Sequence, residues 1–207
     1  MGHRFIFFFL FFCVNIQAQK YNKAVILHHD GTQLECLARL PSMYDKTVKF
    51  KMDEKGKVQK MKGEDIKSVS YFLRGNNTLE LEYLRYTTFF EMNNNRQNLF
   101  TSEWIEVLVR GDMTLYYIQD ASRSGQRKSF SYHYLVKKEH EKYATEIAYL
   151  RYRNGFLIYR MEAEDFFADV PDIEKKIDNR EDGYTAKDIV NIVQEYNTLK
   201  QAMLNAQ

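Results

Sequence analysis

The chain has 207 residues, 44% of them hydrophobic and 28% charged, with a formal net charge of +2. That composition suits a globular protein with a core of its own and excludes both a low-complexity chain and a highly charged disordered one. Two prolines exclude a Pro-rich linker, and 15 Tyr with 15 Phe favour strands over helices.

The chain opens on a targeting pattern. Arg4 precedes an unbroken run of ten apolar residues at 5–14, and Gln17-Ala18-Gln19 offers a small residue for cleavage. A membrane-crossing helix needs about 20 apolar residues. The shorter run fits a secretory signal peptide at 1–18, cut after Ala18, although Ile16 is larger than usual near such a site. Phe12 is bulkier than the residue that precedes a lipidated cysteine, which argues against a lipoprotein anchored at Cys13. No other stretch is apolar enough to span a bilayer, so the expected address is periplasmic or extracellular. Cleavage leaves Cys36 alone, without a disulfide partner and expected in the core.

Residues 24–29 and 32–40 read as strands joined by the hairpin signal Asp30-Gly31, and Pro41-Ser42 ends the second. Strands follow at 47–52, 58–61 and 68–73, with a polar turn at 53–57 and a helical turn or tight corner at 62–66. After Gly75-Asn76-Asn77 a long alternating run covers 79–90. Residues 91–98, with three consecutive asparagines, read as a loop. Residues 104–109 and 114–119 form the central hairpin. Both of its faces are largely apolar, so it should be covered on two sides. Gly111-Asp112 is placed at the centre of its turn, where Gly tolerates positive φ. The Arg-Gly-Asp triplet at 110–112 also spells an integrin-recognition tripeptide, and the turn is the preferred reading. Residues 122–127 read as a polar, basic loop, 130–135 as a strand, and 146–152 pairs with 156–159 across Arg153-Asn154-Gly155.

The pattern then turns helical. Residues 162–168 read as a helix, and Pro171 opens a second that runs to 177. Thr185 to Asp188 has capping-box spacing. Ile189, Ile192, Val193, Tyr196, Leu199 and Met203 then recur at helical spacing as one apolar stripe. The expected fold class is α+β: about ten mainly antiparallel strands over 19–160, arranged as a barrel or sandwich, with two or three helices over 161–207 packed on them. Residues 20–76 hold 12 basic and 7 acidic side chains, and residues 162–207 hold 5 and 11. The acidic C-terminal segment is therefore expected to pack against the basic N-terminal part.

Several of these stretches together resemble uncharacterised secreted β-rich proteins of Bacteroidota, a family defined by a domain of unknown function. The stretches are the Ala-Gln signal-peptide end, Asp30-Gly31-Thr32, the run from Trp104 to Gly111 leading into Leu115-Tyr116-Tyr117, and Asp188-Ile189-Val190 with Glu195-Tyr196-Asn197. The resemblance spans most of the mature chain and rests on turn and core residues. It implies a cell-envelope address and a β-rich body, and no activity. Such proteins often carry a cysteine near the first C-terminal helix and another after the final Tyr-Asn. Here Val170 and Thr198 stand at those places, so that disulfide is missing.

Candidate chemistry is sparse. His28 and His29 are neighbours on a strand and point opposite ways, which does not gather them on one metal. His133 shares a face with Ser131, without the sharp glycine turn that activates a nucleophilic serine. Glu80 and Glu82 share a strand face, as a pair of acid–base carboxylates or as a solvated edge. No phosphate-binding loop, dinucleotide fingerprint or Cys-x-x-Cys pair is present, so no catalytic residue, metal ligand or cofactor is assigned. Arg127 and Lys128 flank Phe130, Tyr132 and Tyr134, with His133 between, and make this stretch the candidate surface or ligand site. Basic residues around aromatics suit a polyanion. The signal peptide turns that reading away from nucleic acid and toward a glycan or an anionic envelope polymer, with an envelope protein as a further candidate partner. The tyrosine-rich strands also suit a barrel mouth for a small amphipathic ligand. The expectation is an exported binding or structural module, with a ligand carrier as the alternative and a hydrolase as the remote one.

Overall fold

The structure, a computed structural model, describes residues 21–42, 44–92, 95–124, 127–153, 156–161 and 164–206; over 88–101, 120–129 and 152–165 it describes the backbone alone. The signal-peptide segment and Cys13 lie outside the described residues.

Four strands form a meander: β1 (Tyr21–His28), β2 (Gln33–Arg39), β3 (Thr47–Lys51) and β4 (Gln59–Lys62). The β1–β2 turn is built as its sequence requires. Gly31 has a φ of +86°, and the Asp30 carboxylate accepts from the Thr32 amide at 2.9 Å and its hydroxyl at 2.7 Å. A 3-10 turn, Gly63–Asp65, brings β5 (Ile66–Phe72) back beside β1. Gly63 is needed there because a Cβ would sit 2.3 Å from the Tyr83 ring.

From β5 the sheet continues through β6 (Thr78–Met92), β7 (Asn95–Val109), β8 (Met113–Ser124), β9 (Arg127–Lys138), β10 (Ala144–Arg153) and β11 (Phe156–Met161), each antiparallel to its predecessor. β10 also pairs in parallel with β6, Ala144 against Tyr86 and Thr145 against Thr87. That contact closes β6 to β10 into a five-stranded barrel and leaves β1 to β5 as a wing of the same sheet. The α+β class expected from the sequence is the one observed, with eleven strands among the described residues and three helices after them: α1 (Glu164–Phe167), α2 (Pro171–Asp178) and α3 (Ile189–Asn205).

Two loops expected from composition are strands instead. Residues 91–98 belong largely to the β6–β7 hairpin, whose register runs out to Met92 opposite Asn95. Residues 122–127 belong largely to β8 and β9, paired out to Ser124 opposite Arg127. Asn, Ser and Gly lower intrinsic strand propensity, but ladders already formed by strands of 15 residues in β6 and β7 and 12 residues in β8 and β9 propagate through them. The turn residues 93–94, 125–126 and 154–155 lie outside the described residues.

Three apolar cores follow from the alternation. The wing core gathers Ile26, Val48, Phe50, Val69, Tyr71 and Trp104. The barrel lumen gathers Leu84, Tyr86, Ile105, Tyr116, Leu135 and Ala144. The third lies between the barrel wall and the helices, where Met113, Leu115, Val136 and Ile147 meet Phe167, Ile173, Ile192 and Tyr196. The central hairpin is thus covered on both faces. One irregularity makes this possible. The β7–β8 register shifts between Val107 and Val109, a bulge that leaves Val107 with the lumen cluster and puts Val109 under the helices.

The helices dock on β7 to β10, and the ion pairs of their segment follow suit. Asp169 takes Lys138 of β9 at 2.9 Å and Lys200 of α3 at 2.9 Å, and Lys176 meets Glu195 at 3.1 Å. The expected pairing of the acidic C-terminal segment with the basic N-terminal part is therefore corrected. Apolar surface on the barrel wall decides the docking site, and distant charges of opposite sign are too screened to redirect it. The capping box holds, with the Thr185 amide donating to Asp188 at 3.1 Å just before α3. The α3 stripe is buried through Tyr196, whereas Met203 is exposed because the helix runs past the edge of the barrel.

Gly111 also departs from expectation. Its φ is not positive. Glycine is required because a Cβ would lie 2.3 Å from the Asn197 side chain. Asn197, buried on α3, accepts from the Met113 amide at 2.8 Å and donates to the Met113 carbonyl at 2.9 Å. Asn197→Ala would strand two buried backbone groups, and Gly111→Ala would push the helix away. Each should lower stability by about 2–4 kcal/mol in urea denaturation; wild-type midpoints for both would show that the clamp holds nothing.

Burial pushes the Asp169 carboxyl up, but hydrogen bonds from Lys138, Lys200 and Tyr196 outweigh it and hold the group at about 2. A carboxyl depressed in the fold contributes its stability above its ordinary value of 3.8 and loses it as pH falls toward 2. Asp169→Asn should therefore narrow the stability difference between pH 6 and pH 2.5, read by thermal melts across an acid series.

Candidate functional site

The carboxylates that the sequence offered for acid–base work are engaged in structure. Arg110, the first residue of the Arg-Gly-Asp turn, donates to Glu82 at 2.7 Å and to Glu80 at 2.7 Å. Asp112 accepts from Gln201 of α3 at 2.8 Å. The triplet is thus pinned to β6 on one side and to the C-terminal helix on the other.

Inside the barrel, the Tyr86 hydroxyl donates to the buried carboxylate of Glu103. His133 turns inward, and its Nδ1 lies 2.7 Å from Oε1 of Glu146, with the Tyr149 ring 5.0 Å away. Ser131 stands opposite Asp120 and Arg151 in the ladder, whereas His133 stands opposite Ile118 and Tyr149. The histidine–glutamate pair therefore completes the filling of the lumen beside Leu135.

Tyr132 and Tyr134 point the other way, as alternation requires. Tyr117 of β8 stacks on Tyr132 at 6.0 Å and 14° and meets Tyr134 at 5.5 Å, so three tyrosines share the outer wall. Phe130 is half-buried on β9. The side chains of Arg127 and Lys128 lie outside the described residues. The structure thus splits the sequence-defined stretch: the tyrosines join an outer aromatic face, and His133 leaves it for the lumen.

The outer face continues from Tyr117 into a groove of about 350 Å³. Its floor is the outer side of β6, β7 and β8, carrying Leu79 and Leu81, Trp104 and Glu106, and Tyr117 and Gln119; Leu40 and Pro41, after β2, line it from the wing. Register explains the gathering, because Leu81, Glu106 and Tyr117 are direct neighbours across three strands. Trp104 is buried against Tyr83 at 5.4 Å, and its indole N–H has no hydrogen-bond partner among the described residues. Burial alone pushes the Glu106 carboxyl up. Burial, followed by the neighbouring Tyr134, Tyr132 and Glu106, pushes the Tyr117 phenol to about 12. The sequence reading missed this groove because its residues come from three separate strands and the segment after β2. Glu106 was the available signal, the one charge inside the apolar run from Trp104 to Val109.

Elsewhere, the His29 ring contacts the Glu64 carbonyl at 3.2 Å, and burial pushes the Cys36 thiol to about 11, as suits its place in the wing core. Among the described residues no three metal-ligating side chains gather, and no helix is long and apolar enough to cross a membrane. Comparison with protein-family models, curated proteins and solved structures finds no match for the chain.

A carboxyl whose value is raised by burial opposes folding in its charged form, and that penalty grows as pH rises past the ordinary glutamate value of 4.5. Glu106→Gln should therefore melt at or above the wild-type temperature near neutral pH, with the gap closing below pH 4.5. A lower melting temperature near neutral pH would show that Glu106 has a stabilising partner.

Proposed function

We propose that this protein is an exported, non-enzymatic binding protein of the cell envelope, and that it takes a small amphipathic ligand in the groove outside β6, β7 and β8. Export is read from the leader pattern at 1–18. The observation that carries the binding reading is the contrast between the barrel's two sides. The lumen is occupied by Leu84, Tyr86, Ile105, Tyr116 and Leu135. The outer groove is open, apolar and aromatic, and includes the half-buried Glu106. Its volume lies at the lower end of small-molecule sites, which are about 300–1,000 Å³. An apolar body would displace water from Leu40, Pro41 and Leu79 over the buried Leu81 and Trp104, while a polar end would meet Glu106, Tyr117 or Gln119.

This reading moves the ligand from the barrel mouth to the barrel's outside. The fold supports that move through the helices, which cover Val109 of β7, Met113 and Leu115 of β8 and Val136 of β9, while Glu106 of β7 and Tyr117 and Gln119 of β8 line the groove. A protein partner is the second reading, favoured by the exposed Met203 and Leu204 at the end of α3.

The mature chain, residues 19–207, recovered gently from its host should show an added small mass in native mass spectrometry that is lost on denaturation. Trp104 is the one tryptophan of the chain, so its emission reports on the groove directly. Refilling the stripped protein should shift that emission, and Leu81→Lys should abolish the shift. A bare chain mass together with unchanged emission across a panel of apolar, cationic and anionic amphipaths would overturn the reading; a stoichiometric protein companion would favour the second.

A further inference from the structure

The charge pattern of the groove specifies its ligand more narrowly. Among its lining residues Glu106 and Glu103 are acids, and none is a lysine, arginine or histidine. Glu103 is already bonded to the Tyr86 hydroxyl inside the barrel. Glu106 makes no ion pair or hydrogen bond to a described residue, whereas Glu80 and Glu82, half-buried on neighbouring β6, are paired with Arg110. A half-buried charge without a partner is unfavourable for the free protein and favourable for whatever brings the opposite charge.

The aromatic rings tell the same story. Tyr21, Tyr143, Tyr184 and Tyr196 each carry a lysine or arginine of the chain over the ring, at 4.7 to 5.5 Å. Trp104 and Tyr117 carry none among the described residues. They are the two aromatic side chains lining the groove, on β7 and β8, with Glu106 in register with Tyr117. An indole and a phenol beside a lone carboxylate form a site for an ammonium group, because ring faces and carboxylate both attract a cation and both tolerate its apolar substituents. Leu79, Leu81, Leu40 and Pro41 supply the surface for an apolar tail.

We propose that the groove selects an amphipathic organic cation, a primary or quaternary amine on a short apolar body, with the ammonium held between Glu106, Tyr117 and Trp104. The proposal rests on the binding reading above and adds the sign of the ligand's charge. Neutral amphipaths would fill the apolar floor and leave the carboxylate unpaired. Anionic ones would add a second negative charge beside it.

The full mature chain, stripped of any retained ligand, is titrated with octylammonium, octanol and octanoate, followed by Trp104 emission and by calorimetry. Octylammonium should bind about tenfold or more tightly than octanol, with octanoate weakest, the difference expected of one partly desolvated ion pair with cation–π support. In Glu106→Gln the preference for octylammonium over octanol should collapse to about twofold or less. Melting of the variant at or above the wild-type temperature separates loss of the charge from loss of the fold. Octanoate or octanol binding as tightly as octylammonium would overturn the charge assignment while keeping the groove. An unaltered preference in Glu106→Gln would place the cation elsewhere and overturn it also. Failure of all three probes to bind would overturn the groove itself as a ligand site.

Discussion

Asn197 presents both halves of its amide to the backbone of Met113, and much of the C-terminal architecture hangs on that bidentate contact. Met113 opens β8 directly after the Arg-Gly-Asp turn, at the point where the chain leaves the Leu108 bulge. The clamp satisfies two buried backbone groups that the hairpin cannot pair by itself, and it seats α3 at a fixed height over the barrel. Around it, Asp112 receives Gln201 and Arg110 reaches back to Glu80 and Glu82. One turn is thereby tied to the C-terminal helix and to the first barrel strand. The helix core of Val193, Tyr196, Leu115 and Val136 supplies the bulk of the burial, and the clamp supplies its register.

With the helices locked on one side of the barrel wall, the remaining outer surface is left to do something else. β6 and β7 face the wing through Leu81, Tyr83 and Trp104, and the groove opens where that packing gives way to Glu106, Tyr117 and Gln119. The same strands therefore serve the lumen with one set of side chains and the groove with the other. This is economical only because a closed barrel of five strands has a lumen narrow enough to be filled by side chains alone. The lumen is filled by Leu84, Tyr86, Ile105, Tyr116 and Leu135, and the proposed ligand is accordingly placed outside it.

Much of the fold was legible in the residues. The hairpin at Asp30-Gly31, the turn at Gly63–Asp65, the strand alternation around Trp104 and Tyr116, the helix opened by Pro171 and the capping box at Thr185 all follow from local preferences that the structure respects. The candidate site was legible in part: Tyr132 and Tyr134 do lie on the outer face that adjoins the groove, through Tyr117. Glu106 and Leu40 were not legible as neighbours. They are brought toward one groove by the β1–β5 wing curling against the barrel, and no local pattern encodes that approach.

Sequence by itself determined the β-rich class, the helical ending, the position of most turns and which residues alternate, because these depend on steric preferences over a few residues. Tertiary structure decided the rest. The parallel contact between β10 and β6 closed the barrel, bulges in β7 and β10 sent Val109 and Ala148 under the helices, and docking of α3 gave Gly111 its reason. Each of these joins residues distant along the chain, and the energy that selects among such pairings resides in burial and complementarity that exist only once both partners are in place.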